Sequence, residues 1–462
     1  MSYTNDLDKP TDYFNTVTWT GNGSARSITG VGFAPDLVWS KARQPTSRGL
    51  FHDTIRGATK YVDSTRTIAE YTEAQGLTAF GSDGFNVGTT GEVNYNGDTF
   101  VAWNWLAGGT APAITYSVKV VSDSGNKYRF DDFGTSAVTL DLQEGGTYTF
   151  DQSDSSNSGH PLRFSTTSNG THGGGSEYTT GVTTTGTPGN AGAKTVITVG
   201  SGVATLYYYC TQHSAMGGQA NTNSTSGSSN FGGSIQANVS ANTTSGFSIV
   251  SYSGSTNSTF TVGHGLGAVP KIFILKKTSS SGTNWVMYNA NLGNDKRIQL
   301  NNTDASASTS GYGNTDPTSS VFTVSNGSTT GADGQTYIAY CFAEKKGYSK
   351  FGTYTGGTLP FIYLGFKPAM FLVKEASATN GYHWVLFDNK RDTDNPIQHR
   401  LQLSSTVSEY TDLSDVCDFV SNGLKFTYQA NNWANTDGRT YIFMAFAENP
   451  FVTSTGIPTT AR

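Results

Sequence analysis

The residues with the clearest capacity for chemistry lie in two short stretches near the middle of the chain. One is Cys210-Thr-Gln-His213-Ser-Ala-Met216, and the other is Asn157-Ser-Gly-His160-Pro. Together they offer a thiol, two imidazoles and a thioether, a donor set that favours copper when a methionine is the weak axial ligand. The alternative is structural, with Cys210 as a small buried hydrophobe and Met216 as core packing.

The sequence around these residues resembles the cupredoxins, the small blue-copper β-sandwiches. The Cys-Thr-x-His-x-x-Met loop has the short, amicyanin-type spacing, and His160 opens a strand after a Gly-Gly-Thr-Tyr-Thr-Phe strand, where this family keeps its first ligand. The resemblance implies that His160, Cys210, His213 and Met216 bind copper. All four ligand types occur in the family's order, which is far more specific than a lone Cys-x-x-His.

Two features depart from the cupredoxin pattern. Pro161 stands where many members carry an asparagine that helps to tie the two ligand loops together, and the Gly/Thr-rich stretch over residues 169–192 is long. His172 lies in that stretch and is an alternative ligand, although a mobile loop position is the simpler interpretation.

Residues 112–218, which contain both stretches, are dense in strand patterns. Seven or eight strands in about a hundred residues predict a β-sandwich, with a Greek key as the default topology. The predicted strands are Thr115–Val121, Lys127–Phe130, Ala137–Leu142, Thr147–Asp151, His160–Ser165, Lys194–Val199 and Ala204–Cys210.

On either side of residues 112–218 the chain repeats one design three times. Each copy has an aromatic-x-Gly corner, a Gly-x-x-Pro turn leading into an apolar strand that ends in lysine, and a closing aromatic strand. The turn segments are Gly32–Lys41, Gly267–Lys276 and Gly365–Lys374, and the closing strands begin at Thr99, Thr336 and Thr440. We therefore predict module 1 over residues 12–110, the insert over 112–218, a linker over 219–244, module 2 over 245–346, module 3 over 348–449 and a C-terminal tail over 450–462.

The closing strands alternate large aromatics with a second apolar set, a pattern typical of strands buried on both faces. Asn-Gly and Asp-Gly pairs at 83–84, 96–97, 333–334, 422–423 and 437–438 predict hairpins. Each module is therefore predicted to be an antiparallel sandwich, and the fold class is all-β. The only helix we expect is a short one near Ser64 to Gln75.

The polar residues that recur in the modules have structural explanations. Lys41, Lys276 and Lys374 could contact a ligand, but each is more simply a strand-ending lysine that extends to solvent. Asp53 and Asp388 are predicted to be turn or capping residues rather than general bases, because no histidine or second carboxylate recurs beside them.

The composition argues against a nucleic-acid-binding protein and against a membrane-inserted one. The 462 residues include 55 glycines, only 14% are charged, and the formal net charge is −5 without a basic cluster. Nucleic acid is therefore an unexpected partner, and no apolar run predicts membrane insertion. The N-terminus lacks the features of a signal peptide, and three scattered cysteines do not predict a disulfide framework, so we expect synthesis in a cytosol.

The repeats also resemble virion structural proteins of marine bacteriophages, in which Gly-x-x-Pro-Asp-Leu-Val-Trp and Phe-Val-Ala-Trp-x-Trp strands recur. The similarity is strongest over residues 13–109 and weaker over the two later copies. It implies a non-enzymatic virion protein, made in the host cytoplasm and displayed as a tail fibre, spike or capsid decoration. Its expected partners are other virion proteins and a host-surface glycan or protein.

Two other functions remain open from the sequence. One is copper-dependent electron transfer, and the other is a polysaccharide depolymerase, for which no repeated carboxylate pair is found. From slender modules with many aromatics and few charges we predict self-association of an elongated chain, with a trimer favoured.

Overall fold

The computed structural model describes residues 5–377, 381–411, 416–427 and 433–460. It is almost entirely β, which confirms the predicted fold class. The described helical segments are the short helix α1 (Gly91–Asn94) and three 3₁₀ turns at Pro10–Asp12, Ser155–Asn157 and Gly170–Gly173.

The helix expected near Ser64 to Gln75 does not form. The stretch contains turns and a two-residue strand, and its backbone bonds to module 2 instead: the Glu70 amide donates to the Thr278 carbonyl at 3.0 Å. A local helical preference is overridden here by a tertiary backbone contact.

Module 1 contains nine strands. They are β1 (Phe14–Thr20), β2 (Arg26–Thr29), β3 (Leu37–Ala42), β4 (Gly49–Asp53), β5 (Lys60–Asp63), β6 (Tyr71–Thr72), β7 (Leu77–Gly81), β8 (Gly84–Val87) and β9 (Thr99–Trp105). The large sheet has the order β1-β9-β3-β4-β5-β6, and the small sheet β2-β8-β7 covers one of its faces.

The insert is a two-layer sandwich. Its strands are β10 (Ala113–Ser122), β11 (Asn126–Phe130), β12 (Leu140–Gln143), β13 (Thr147–Asp151), β14 (Leu162–Ser165), β15 (Val182–Thr185), β16 (Lys194–Thr198), β17 (Leu206–Cys210) and β18 (Gly218–Asn223). The sheets have the orders β11-β10-β13-β16-β15 and β12-β18-β17-β14. Each sheet contains one parallel pair, β10 with β13 and β12 with β18.

Modules 2 and 3 contain the remaining strands. Module 2 uses β19 (Ser228–Asn230), β20 (Ala237–Asn242), β21 (Phe247–Ser253), β22 (Thr259–Gly263), β23 (Ile272–Lys277), β24 (Val286–Asn289), β25 (Lys296–Gln299), β26 (Ala307–Ser308), β27 (Val321–Ser325) and β28 (Thr336–Phe342). Module 3 uses β29 (Ser349–Thr355), β30 (Phe361–Tyr363), β31 (Phe366–Glu375), β32 (Val385–Asp388), β33 (His399–Gln402), β34 (Tyr410–Thr411), β35 (Cys417–Val420), β36 (Gly423–Phe426) and β37 (Thr440–Pro450).

The three modules have one topology. In each, the first strand pairs with the closing strand, which pairs in turn with the strand after the Gly-x-x-Pro turn: β1-β9-β3-β4, β21-β28-β23-β24 and β29-β37-β31-β32. The three repeated Gly-x-x-Pro segments therefore mark the start of equivalent strands, as the repeat predicts, although in module 3 the strand already begins at Phe366 and bulges at Pro368.

The modules close into a ring around a shared core, so the elongated arrangement that we predicted is wrong. One face of each closing strand packs on the module's own small sheet, and the other face packs on the two other modules. The equivalent residues Trp105, Phe342 and Phe446 meet there, with ring centroids 5.5 to 6.2 Å apart. The second apolar face of these strands is thus covered within one chain.

The predicted linker over residues 219–244 is largely strand. β18 pairs with β12 and β17 of the insert, whereas β20 pairs with β21 of module 2. The tail that begins at residue 450 also packs on the protein, because the Phe451 amide bonds to the Gly365 carbonyl and Ser454 bonds to Asp8. A Ser/Asn/Gly-rich composition did not reveal these backbone pairings.

The three repeated lysines are buried, and our prediction that they extend to solvent is wrong. Lys41, Lys276 and Lys374 are at most 1% exposed. Their ammonium groups donate to backbone carbonyls, including Ser405 of module 3 for Lys41 (2.8 Å) and Thr303 of module 2 for Lys374 (3.3 Å). Burial lowers the pKa of each lysine to about 8.

Asp53 and Asp388 close turns, which confirms that prediction. Asp53 accepts the Arg56 amide at 2.9 Å, and Asp388 accepts the Arg391 amide at 2.9 Å. Each carboxylate also pairs with the guanidinium of the same arginine. In the described residues, no helix is long and apolar enough to cross a membrane.

Candidate metal centre

Strand pairing in the insert brings together the two stretches that contain the predicted metal ligands. His160 lies two residues before β14, and Cys210 is the last residue of β17. These strands are antiparallel neighbours, with Leu162 opposite Cys210. The loop from β17 to β18 then carries His213 back across the same end of the sheet.

Three of the four predicted ligands converge on one point. The Cys210 sulfur lies 3.9 Å from His160 Nδ1 and 3.7 Å from His213 Nδ1. The two imidazole centroids are 4.6 Å apart, and one ligand atom from each of the three residues lies within 4.8 Å of the others. Bonds of about 2.0–2.3 Å to one ion place two ligand atoms about 3.5–3.8 Å apart, so the distances from the Cys210 sulfur to the two histidines are close to those of a shared metal.

The environment of His160 favours the protonation state that binds a metal. Cys210 is completely buried, His160 is partly buried and His213 is exposed. Burial, followed by the charge of His213, lowers the pKa of His160, which keeps its imidazole neutral near pH 7. A neutral imidazole is the form that binds a metal.

Met216 lies beside the trio in the core. It is 1% exposed and belongs to the same hydrophobic cluster as Cys210. It also lines, with His213, a cavity of about 480 Å³. The Met216 carbonyl accepts the Tyr128 amide at 3.0 Å, which holds the end of the loop against β11.

His172 is not one of the converging ligands. It is exposed, and its Nε2 lies 3.0 Å from the Cys210 carbonyl oxygen, to which a protonated Nε2 donates. Its 3₁₀ turn at Gly170–Gly173 therefore supports the backbone of the ligand loop. The His172 side chain therefore contacts the backbone carbonyl of Cys210 and not its sulfur.

Hydrogen bonds to the backbone hold the two ligand loops in place. The Thr211 amide donates to the Pro161 carbonyl at 3.2 Å, and so joins the two ligand loops directly. The His160 carbonyl accepts two further bonds, from the Tyr128 hydroxyl at 2.8 Å and from Gln152 Nε2 at 2.9 Å. Both ligand loops are thus held before any metal binds.

Gln152 and Asn157 are positioning residues that sequence reasoning missed. Both are at most 1% exposed. Gln152 Oε1 accepts the Leu162 amide, and the Asn157 amide group donates to the Val118 carbonyl at 2.7 Å. Two amide side chains within eight residues of a candidate ligand are the signal that could have indicated them, because buried amides in a sandwich must find partners.

Comparison with known proteins identifies the modules but not the site. The sequence profile of a domain of unknown function, DUF7483, matches residues 9–131 and 219–450. The chain belongs to the DUF7483 family. Searches of curated proteins and of solved structures gave no match.

The gap in the DUF7483 match lies inside the insert. Residues 132–218 fall outside the match, and they include His160, Cys210, His213 and Met216. The match covers the three modules and the first two strands of the insert, β10 and β11. The metal-ligand trio lies outside the match.

Proposed function

We propose that this chain is a non-enzymatic structural protein of a bacteriophage particle, displayed as a tail fibre, spike or capsid decoration and bound to other virion proteins. The observation that supports this proposal best is the closed ring of three fused modules. A ring whose interfaces are all internal is a rigid base for display at a surface, and the sequence resemblance to phage virion proteins covers the same modules.

The same backbone contact closes the ring at all three interfaces. The Glu70 amide donates to Thr278, the Ser306 amide to Ala376, and the Glu409 amide to Arg43, at 2.8 to 3.1 Å. In each case the acceptor lies two residues after the repeated lysine of the next module. Head-to-tail contacts of this kind form a closed ring when the rotation between units returns to its start.

Electron microscopy of purified particles tests the proposal. We expect density for three sandwiches around one axis, with the insert attached at the end of β9. Mass spectrometry of the same particles gives an independent answer. Absence of the chain from particles, when it is present in the cells that release them, contradicts the proposal.

The homotrimer of chains stays a prediction, but the exposed aromatic faces of the modules can no longer be its cause. Each chain already supplies three modules around one core, so a trimer of chains must use other surfaces. Light scattering at micromolar concentration measures this mass directly, and a stable monomer contradicts the prediction.

A second candidate function is copper binding by the insert, and one observation favours it. A thiol and two imidazoles within 4.8 Å of one another match the three strong ligands of a His₂Cys copper site, and Met216 is the fourth residue of that set. Bound copper would supply one-electron chemistry there. Because copper is scarce in a cytosol, we expect the purified protein to be empty or to hold zinc.

Copper titration of metal-free protein tests this second function. We expect a strong visible charge-transfer band, which Cys210→Ala abolishes and His172→Ala leaves in place. The two residues are neighbours, but only Cys210 offers its side chain to the trio. A colourless product in the wild type contradicts copper binding of this type, and the structural proposal is unaffected by that outcome.

A further inference from the structure

One strand of the insert has an open edge over part of its length. The first five residues of β10, Ala113–Ser117, pair with β13 on one side. β11 pairs with the other side only from Val118 onward. Among the described residues, no strand pairs with the outer edge of residues 113–116.

The backbone groups along this edge have a defined direction. The Thr147 amide bonds to the Pro112 carbonyl, and alternate residues of a paired strand face opposite sides, so Ala113, Thr115 and Ser117 face away from β13. At Ser117 the edge is already closed, because the Asp131 amide donates to the Ser117 carbonyl at 2.9 Å and the Asp131 carboxylate accepts the Ser117 amide at 2.8 Å. Ala113 and Thr115 continue the same edge and are exposed.

The open edge forms one wall of a cleft between the insert and module 2. The cleft has a volume of about 730 Å³, and its opposite wall is rich in small polar residues and glycine. Members of that wall include Ser229, Asn230, Ser240, Gly265 and Ser320.

The cleft is built into the fold. β11 ends at Phe130, and the next two residues, Asp131 and Asp132, have positive φ angles of 49° and 57°, which turn the chain away from β10. Hydrogen bonds hold the two walls at a set distance, including Tyr116 OH to the Ser229 carbonyl at 2.8 Å and the Gly108 amide to Ser240 Oγ at 3.0 Å.

We propose that this cleft binds an extended peptide segment of a partner protein, which adds as a strand to the open edge of β10 in line with β11. Four residues of a strand span about 13 Å, the length of the open edge. Strand addition takes its affinity from main-chain hydrogen bonds, and pockets for alternate side chains supply specificity. The wall chemistry selects small polar side chains, and the Asp131 carboxylate selects a basic residue beside it.

The open edge favours a peptide over a small molecule. A cavity of this size also suits small ligands. However, amide and carbonyl groups repeated at strand spacing match the backbone of another strand, whatever its sequence. This binding is independent of the metal site, because His160, Cys210 and His213 do not line the cleft.

Selection from a displayed library of linear eight-residue peptides against the full chain tests the proposal. We expect enriched peptides to bind at the cleft and to slow amide hydrogen exchange at Ala113 and Thr115. Thr115→Pro removes the outward amide but keeps the bonds to β13, since proline is tolerated on a strand edge. The loss of one hydrogen bond should weaken binding by about tenfold.

A second variant keeps the test decisive if Thr115→Pro disturbs folding. Ser320→Trp fills the opposite wall from an exposed position and should block the same peptides, whereas Ser328→Trp, at an exposed position of module 2 outside the cleft, should not. Failure to enrich any peptide, or peptides that bind Ser320→Trp as well as the wild type, overturns the proposal. Exchange protection confined to other strands overturns it too.

Discussion

The three interfaces of the ring are geometrically equivalent but chemically different. Where modules 1 and 2 meet, the Tyr340 hydroxyl donates to Asp53 at 2.7 Å, and Arg56 pairs with the same carboxylate. Where modules 3 and 1 meet, Trp103 Nε1 donates to Asp388 at 3.1 Å beside Arg391.

The interface between modules 2 and 3 has an apolar version of the same arrangement. The equivalent positions there are Asn289, Leu292 and Met444. The other two interfaces have an aspartate, an arginine and a tyrosine or tryptophan at these positions, whereas this interface has an amide and two apolar side chains. The features that all three interfaces share are the backbone contacts and the apolar packing, so ring closure depends on these two. A buried ion pair is one of two ways to fill the space between modules.

The largest effect should follow from removing one member of an ion pair. Arg56→Leu leaves Asp53, which is completely buried, without its cation, and we expect a loss of about 3–5 kcal/mol in the free energy of unfolding. Urea denaturation measures it. Lys60→Leu, which removes a half-exposed cation near Glu70, should cost about 1 kcal/mol or less. Equal losses in the two variants would contradict the distinction between buried and exposed pairs.

A pH effect should act on all three interfaces, because each contains a buried lysine. The pKa of Lys41, Lys276 and Lys374 is about 8 in the folded protein, below the ordinary 10.5. Between these values the unfolded chain holds more protons, so the free energy of unfolding should rise as the pH increases from about 8 to 10. Below pH 8 the lysines are charged in both states, and the cost of burying them is fully present.

Urea midpoints at pH 7.5, 8.5 and 9.5 measure this rise. The buried thiols of Cys341 and Cys417, whose pKa is raised by burial, act in the opposite direction from about pH 8.5 and reduce the rise. The buried tyrosines, whose pKa is also raised by burial, do the same above about pH 10, so the window ends there. A variant with methionine at all three lysine positions should lose the rise and keep only the opposite effect of the buried thiols. A rise that survives in that variant would assign the pH dependence to other groups.

The smallest effect should come from converting one interface into the other type. Asp53→Asn, Arg56→Leu and Tyr340→Met together copy the interface between modules 2 and 3, and no buried charge is left unpaired. Replacing a buried ion pair by apolar groups is often neutral, so we expect the triple variant to lie within about 2 kcal/mol of the wild type. A triple variant less stable than Arg56→Leu alone would show that the polar interface is required.

The local pattern of the sequence predicted much of this protein. Three copies of one module, strands after the Gly-x-x-Pro turns, and hairpins such as the Asp83-Gly84 turn follow from apolar periodicity and from glycine's access to positive φ. In the candidate site, spacing along one strand and its loop places His213 near Cys210, whereas the part of His160 was implied only by the resemblance to the cupredoxins. The supporting amides of Gln152 and Asn157 were not predictable, since their partners lie on other strands.

Only the tertiary structure decided how the modules meet. A strand such as Thr336–Phe342 is apolar on both faces, and that pattern requires a cover for each face without naming it. The burial of Lys41 could not be predicted for the same reason. Its ammonium group donates to the Ser405 carbonyl, which belongs to a module more than 300 residues away. The sequence by itself determined the modules and the pairing of Cys210 with His213, because both depend on near neighbours, whereas His160 reaches them only through the pairing of β14 with β17. Ring closure, the buried lysines and the open edge of β10 depend on long-range packing, which residue spacing does not encode.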